Sequence, residues 1–94
     1  MKILGYQYKI VKKHSDNIEG LGYCKSTQLQ IDINEKQAPQ QLESTMLHEM
    51  LHALSYHLHL GLTEQQVMSL EAGLYQSLTD NGVDLSPLIK ELDA

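Results

Sequence analysis

Cysteine, tryptophan, phenylalanine and proline are all scarce in this chain. There is one cysteine and no tryptophan or phenylalanine, and only two prolines occur among 94 residues. The lone Cys24 excludes an intramolecular disulfide and is typical of a protein from a reducing compartment. Because the large aromatic residues are limited to five tyrosines, the core must be built mainly from Leu, Ile, Met and Tyr. We therefore expect Cys24 to be a small strand residue.

Positive charge and long apolar runs are also lacking. Seven Lys and Arg face twelve Asp and Glu, and the resulting formal net charge of -5 works against binding to a phosphate backbone. No apolar run approaches the ~20 residues that span a bilayer, and the first residues lack the apolar stretch of a signal peptide. We expect a cytoplasmic protein that binds neither nucleic acid nor membrane.

The first third of the chain has the period-two pattern of β-strands. Apolar and polar side chains alternate over residues 3–11 and again over residues 29–33, and a shorter strand is expected at residues 22–24. A polar, glycine-containing loop separates the first two strands, and a turn at residues 25–26 separates the last two. The pattern predicts a small three-stranded antiparallel sheet.

From Gln40 the period changes to about 3.6, which is typical of an amphipathic helix. Gly61 is predicted to end this helix as its left-handed C′ residue, and Thr63 with Gln66 forms a capping box that starts a second helix. The second helix is expected to run antiparallel to the first as far as Asn81. The apolar stripe of the first helix consists of Leu47, Leu51, Leu54 and Leu58.

The length and these elements together predict one α+β domain, residues 1–94. Two halves of a 94-residue chain would each be too small to bury a core of their own. The sheet is expected to pack on the first helix, and Ser86 with Pro87 starts a short third helix.

The first helix carries two histidines one turn apart. His48 and His52 lie at positions i and i+4, which places both imidazoles on one helix face, within reach of a common zinc ion. Glu49 lies ~100° round the helix, so it flanks such an ion rather than binding it. In this H-E-x-x-H arrangement the carboxylate is the general base acting on zinc-bound water.

A catalytic zinc needs a third protein ligand. In a hairpin that turns at Gly61, Glu71 lies ten residues after the turn, and the midpoint of the histidines lies eleven residues before it. Glu64 would be roughly 10 Å from that level at 1.5 Å per residue. Glu71 is therefore the predicted ligand and Glu64 the alternative. His57 and His59 are expected to be exposed histidines rather than zinc ligands. Tyr56 and Tyr75 could donate to a developing oxyanion but are expected to be core or rim residues.

Three segments resemble the gluzincin branch of the zincin metallopeptidases, and in particular the small ImmA/IrrE-type members carried by phages and mobile elements. They are the strand "LQIDI", the helix "TMLHEMLHAL" and the following helix "LEAGLYQSL". The resemblance implies that His48, His52 and Glu71 bind zinc and that Glu49 is the general base. It also implies that the strand at residues 29–33 is the edge along which an extended peptide substrate lies.

Three functions are consistent with these observations. The leading prediction is a zinc-dependent metallopeptidase that hydrolyses a peptide bond in a peptide or protein substrate. The alternative is a zinc-stabilised protein-binding module without turnover, in which a partner completes a cleft that so short a chain leaves open. The third is a metal-free helical hairpin that mediates protein interaction. The metal content and the effect of Glu49→Gln distinguish these hypotheses.

Overall fold

Five short strands precede two long helices in this α+β protein. The computed structural model describes residues 1–93; Ala94, the last residue of the predicted domain 1–94, lies outside that range. The strands are β1 (Lys2–Ile3), β2 (Tyr6–Gln7), β3 (Lys9–Lys13), β4 (Gly22–Lys25) and β5 (Gln30–Asn34). They are followed by helix α1 (Pro39–His57), helix α2 (Glu64–Asp80) and a 3₁₀ helix (Ser86–Asp93).

The predicted strand over residues 3–11 is broken into three pieces. β1 and β2 form a small antiparallel hairpin, and β3 begins only at Lys9. The hairpin turn consists of Leu4 and Gly5, whose φ angles of 52° and 81° both lie in the left-handed region. Two-residue turns of this kind favour Gly and Asn, and Leu is unusual at the first position. Because apolar and polar residues alternate through this turn as they do in a strand, the sequence pattern did not indicate it.

The three-stranded sheet is mixed, so the prediction of an antiparallel sheet is wrong. β5 is the central strand, paired antiparallel with β4 and parallel with β3. A short 3₁₀ turn joins β4 to β5 and makes them adjacent. The loop before β4 carries the chain to the far side of β5, so β3 occupies the opposite edge and runs in the same direction as β5. The pairing of β3 depends on contacts remote in sequence, which alternation cannot report.

Helix α1 ends earlier than the glycine signal predicts. Its last residue is His57, and His59 takes the left-handed C′ conformation with φ of 55°. The amide of Leu60 donates to the carbonyl of Ser55 at 3.0 Å, and the amide of His59 donates to that of Tyr56 at 3.3 Å. This is the Schellman arrangement of hydrogen bonds. The hairpin between the helices therefore turns before Gly61.

The start of α2 is as predicted. The Thr63 hydroxyl accepts from the Gln66 amide at 3.1 Å, and the Gln66 side chain accepts from the Thr63 amide at 2.9 Å. This capping box satisfies two amides that the first turn of a helix leaves unpaired. Glu64 follows the cap directly, so its backbone position is well determined. Within residues 1–93, no helix is both long and apolar enough to cross a membrane.

The core lies between the sheet, α1 and the C-terminal 3₁₀ helix. Ile31 and Ile33 of β5 pack against α1, and Leu92 of the 3₁₀ helix closes the cluster. Each such side chain contributes about 1.5–3 kcal/mol when it is removed from water. α1 therefore has one side on the sheet and leaves another for α2. The core cluster consists of Ile3, Tyr8, Ile31, Ile33, Met46, Ala53 and Leu92.

Candidate metal centre

The two histidines of α1 point their ring nitrogens to one place. The ring centroids of His48 and His52 are 4.9 Å apart, as the i, i+4 spacing on a helix requires. Both side chains are partly buried, with 15% and 29% of their surface exposed. They lie on the side of α1 that faces α2, and the Nε2 atom of each ring is directed towards the first turn of α2.

Glu64, the first residue of α2, joins the two imidazoles. Its Oε1 lies 2.8 Å from His48 Nε2, and its Oε2 lies 2.8 Å from His52 Nε2. One ligand atom from each of the three residues lies within 4.8 Å of the others, which is close enough to share one cation. The Glu64 side chain is 62% exposed, so it can adjust its position to an ion.

Glu71 lies on the other side of the His48 ring. Its Oε1 is 2.7 Å from His48 Nδ1, and its Oε2 accepts a hydrogen bond from the Ser44 hydroxyl. A carboxylate on Nδ1 directs the other ring nitrogen, Nε2, towards Glu64. Burial lowers the pKa of His48, but the bond to Glu71 and the surrounding carboxylates outweigh burial and raise it above its ordinary value.

The predicted zinc ligands and the residues whose ligand atoms converge therefore share the two histidines but differ in the third residue. Glu71 was predicted, and Glu64 is the residue whose carboxylate meets both Nε2 atoms. The contacts between Leu62 and Ser55 and between Tyr75 and Glu43 centre the hairpin near residues 58–59, not at Gly61. This offset places Val67 opposite the two histidines. Glu64 lies three residues before Val67 and Glu71 four residues after it, so both acids reach the histidine pair from opposite ends.

Glu49 is buried between α1 and the start of β4. Only 5% of its surface is exposed, and it lies against Gly22. Burial, together with the negative charges of Glu64 and Glu71, raises the pKa of its carboxyl to about 7, although His48 opposes the shift. A carboxylate that binds a proton this readily is suited to accept one from a reacting group near neutral pH.

A cleft runs along β4 and passes over the histidine pair. It consists of two cavities of about 380 and 430 Å³ that share Gly22, His48, Glu49 and Glu64. β4 is the edge strand that borders the cleft, whereas β5 is central. The predicted edge strand at residues 29–33 is therefore wrong. An edge strand presents backbone groups that pair with an extended peptide.

The remaining candidate residues lie outside the cluster of ligand atoms. The prediction that His57 is exposed is wrong: it is partly buried, and its Nε2 lies 2.7 Å from the hydroxyl of the buried Tyr8. His59 is an exposed turn residue, as predicted. Tyr75 donates to Glu43 at 3.0 Å. Tyr56 is half-exposed on the rim of the second cavity.

Cys24 is a strand residue, as predicted, and it also lines the second cavity. Its Sγ lies 3.2 Å from the Ser26 hydroxyl. Burial raises the pKa of the thiol above its ordinary value, which keeps the thiol protonated and disfavours it as a nucleophile or a ligand.

Sequence reasoning missed three residues that shape the site. Gly22 makes room for Glu49, Ser44 holds Glu71, and Met68 lines the first cavity. One signal was available for the acids: Glu64 and Glu71 are seven residues apart, so they share a face of α2. No comparable signal marks Gly22, because its role depends on the approach of β4 to α1.

The donor set fits zinc. Two imidazole nitrogens and one carboxylate are a common ligand set of catalytic zinc, which keeps a further position for water or substrate. The second carboxylate on His48 Nδ1 matches the outer hydrogen bond that metal-binding histidines make.

Comparison of the chain with protein-family models, with curated proteins and with solved structures finds no match in any of the three. Any assignment of function therefore rests on the geometry of this site.

Proposed function

We propose that the chain is a zinc-dependent peptidase of the zincin type. The observation that carries the proposal is the convergence of His48 Nε2, His52 Nε2 and the Glu64 carboxylate beside the buried carboxyl of Glu49. His48, His52 and Glu64 would hold the ion, and Glu71 would orient His48. When bound, zinc supplies Lewis-acid activation of a carbonyl group and lowers the pKa of water.

The protein's own groups supply proton transfer and substrate alignment. Glu49 lies in the cleft shared by both cavities, where it can take a proton from the attacking water and return it to the leaving amine. β4 offers its free edge to an extended peptide, which would bring a backbone carbonyl across the histidine pair. These two features favour peptide hydrolysis over other reactions of a zinc site.

Glu49→Gln tests the catalytic role. The substitution keeps the size of the side chain and removes its ability to accept a proton, so zinc content should stay at the wild-type level. Hydrolysis of a peptide library should fall by roughly 100-fold or more. Metal content is measured by elemental analysis and cleavage by mass spectrometry. Full activity in this variant would exclude Glu49 as the base.

The matched control is His59→Asn. It removes an imidazole from the same segment of chain at an exposed position, and Asn tolerates the left-handed φ of 55° that the backbone has there. Zinc content and activity should both be unchanged in this variant.

A second pair of variants decides the third ligand. Glu64→Gln should weaken zinc binding strongly, because it removes a charged ligand, whereas Glu71→Gln should weaken it by roughly 10- to 100-fold, as the loss of an outer hydrogen bond does. Titration with a competing chelator measures both affinities. The reverse order would return the ligand role to Glu71, the residue predicted from the sequence.

A zinc-stabilised binding module is the second candidate. Large aromatic side chains at the rim favour it, since Tyr23 is 61% exposed and Tyr56 49% exposed, and such residues are enriched at protein interfaces. This candidate requires bound zinc without cleavage of any peptide. Bound zinc with no cleavage by either the wild-type protein or Glu49→Gln would select it.

A further inference from the structure

Two segments of the chain combine exposed apolar side chains with a complete lack of charge. Residues 3–8 contain the turn between β1 and β2, and residues 53–62 contain the end of α1 and most of its link to α2. Neither segment contains Asp, Glu, Lys or Arg, although such residues make up 20% of the chain. We call the exposed part of these segments the uncharged surface. Its large side chains, each about half exposed, are Leu4, Tyr6, Tyr56, Leu58 and Leu60.

Ring contacts with His57 join the two segments. Tyr6 stacks on the His57 ring with the ring centroids 4.3 Å apart, and Tyr56 meets the same ring edge-on at 5.1 Å. The link after α1 is folded back on the helix, because the amide of Leu60 donates to the carbonyl of Ser55. The turn of the hairpin and the end of α1 therefore form one continuous surface.

The area of this surface fits a weak interface. A large aromatic side chain has about 150–250 Å² of surface and a leucine somewhat less, so five half-exposed side chains offer on the order of 500 Å² in one copy. Two such surfaces in contact bury on the order of 1,000 Å², and their polar rims bring the total near the lower limit of about 1,200 Å² for a specific interface. An interface of this size supports a reversible dimer.

The charge of the protein restricts the partner. With a net charge of -5, two copies repel one another wherever their charged surfaces meet. The two uncharged segments are exempt from this repulsion. A membrane is disfavoured, because the segments have no Lys or Arg to attract anionic lipid. A highly charged protein is disfavoured as well, since its charges would lose water without gaining a partner.

We propose that the uncharged surface is the contact between two copies of this chain in solution, related by a two-fold axis. In such a contact the same surface serves both copies, so the tyrosines and leucines of one copy pack against those of the other. None of the proposed zinc ligands belongs to the two segments, and neither does Glu49. The proposal is therefore independent of the peptidase function.

Sedimentation velocity tests for the dimer. The zinc-loaded protein is measured from about 1 µM to about 500 µM, which covers the micromolar dissociation constants of weak interfaces. The mass should rise from that of one chain to that of two. About 1 M NaCl shortens the Debye length to about 3 Å and screens the repulsion between copies, so the dimer should become tighter. A monomer at every concentration would overturn the proposal, and so would a dimer that salt dissociates.

Leu58→Lys locates the contact. The new charge would have to leave water in the dimer, so association should weaken by roughly tenfold or more, and lysine is well tolerated at the end of a helix. Leu70→Lys is the matched control: it makes the same change in net charge at an exposed position of α2, outside both segments, and should dimerise like the wild type. Leu60→Lys repeats the test at a second position. Wild-type association of both Leu58→Lys and Leu60→Lys would contradict the proposed contact.

Vesicles distinguish a second copy from a membrane. The protein is centrifuged with phosphatidylcholine vesicles, and we expect it to stay in the supernatant. Protein that remains monomeric in solution but sediments with the vesicles, and loses this property in Leu58→Lys, would assign the uncharged surface to a membrane and overturn the dimer.

Discussion

Glu49 and Gly22 share a confined space where α1 meets β4. A Cβ atom at position 22 would lie 2.9 Å from Thr45 Cγ2, 3.0 Å from Glu49 Oε2 and 3.2 Å from Glu49 Cγ. The first of these distances is shorter than real contacts allow, and the other two are tight. Gly22 is therefore needed for the position of the Glu49 carboxyl, and it acts as a positioning residue.

Gly22→Ala tests this role. The added methyl group should displace the Glu49 carboxyl and lower kcat by roughly 100-fold, the cost of a misplacement near 1 Å, while zinc content and KM stay close to wild type. Combination with Thr45→Ser removes the clash with the threonine methyl group, and activity should remain low. Gly73→Ala is the control, since a Cβ there meets nothing within 4 Å. Lower zinc content in Gly22→Ala would point to a general disturbance instead.

At the scale of the elements, the position of Glu64 depends on the start of α2. The capping box of Thr63 and Gln66 fixes the first turn of the helix, and Glu64 belongs to that turn. Ser55 adds a further constraint, because its hydroxyl accepts from the amide of Leu62 at 2.9 Å. The short link between α1 and α2 is thus tied at both ends, which limits where the Glu64 side chain can reach.

Thr63→Ala should loosen that turn. Loss of an N-cap hydroxyl costs about 1 kcal/mol of unfolding free energy, measured by urea titration of the zinc-loaded protein, and zinc affinity should fall with it. Thr79→Ala removes a hydroxyl from the other end of α2, where it bonds to the carbonyl of Tyr75 at 2.8 Å. That variant should bind zinc like the wild type. Unchanged affinity in Thr63→Ala would show that the cap does not position Glu64.

At the scale of the whole molecule, a cation would join helices α1 and α2, which share few apolar contacts. Val67 is the one residue of α2 that is buried, and the other residues facing α1 are partly exposed or charged. The core beneath α1 is made by the sheet and the 3₁₀ helix instead. A zinc ion held by α1 and α2 would therefore act as a staple for a hairpin with few apolar contacts, as metals do in small domains.

Metal removal is expected to lower the melting temperature substantially. Zinc at 100 times its dissociation constant stabilises the folded state by about 2.7 kcal/mol, which for a chain of this size corresponds to roughly 10–20 °C in Tm. Differential scanning calorimetry before and after chelation measures the shift. His52→Gln should abolish it, and His59→Asn should retain it. A wild-type protein that melts at the same temperature in both states would argue against a structural role for the ion.

Features that depend on near neighbours could be predicted well. The two imidazoles at i and i+4 follow from the period of a helix, and the capping box of Thr63 and Gln66 follows from a local residue motif. Glu49 could be placed beside the histidines from the same helix period. The strand predicted at residues 29–33 is present one residue later, at Gln30–Asn34, because Leu29 is left-handed with φ of 52°. The turn at Leu4–Gly5 and the left-handed His59 were missed, because neither Leu4 nor His59 is a glycine or asparagine, the residues that usually mark a left-handed position.

The sequence by itself determined which side chains are available for zinc chemistry and that two of them share a helix face, because helix geometry is local. The tertiary structure decided the rest: that β4 is the edge beside the cleft, that Glu64 reaches Nε2 while Glu71 reaches Nδ1, and that Gly22 admits the Glu49 carboxyl. Each of these depends on how far one element is offset along another. A shift of two or three residues between the two helices changes which acid, Glu64 or Glu71, faces the Nε2 atoms of the histidines.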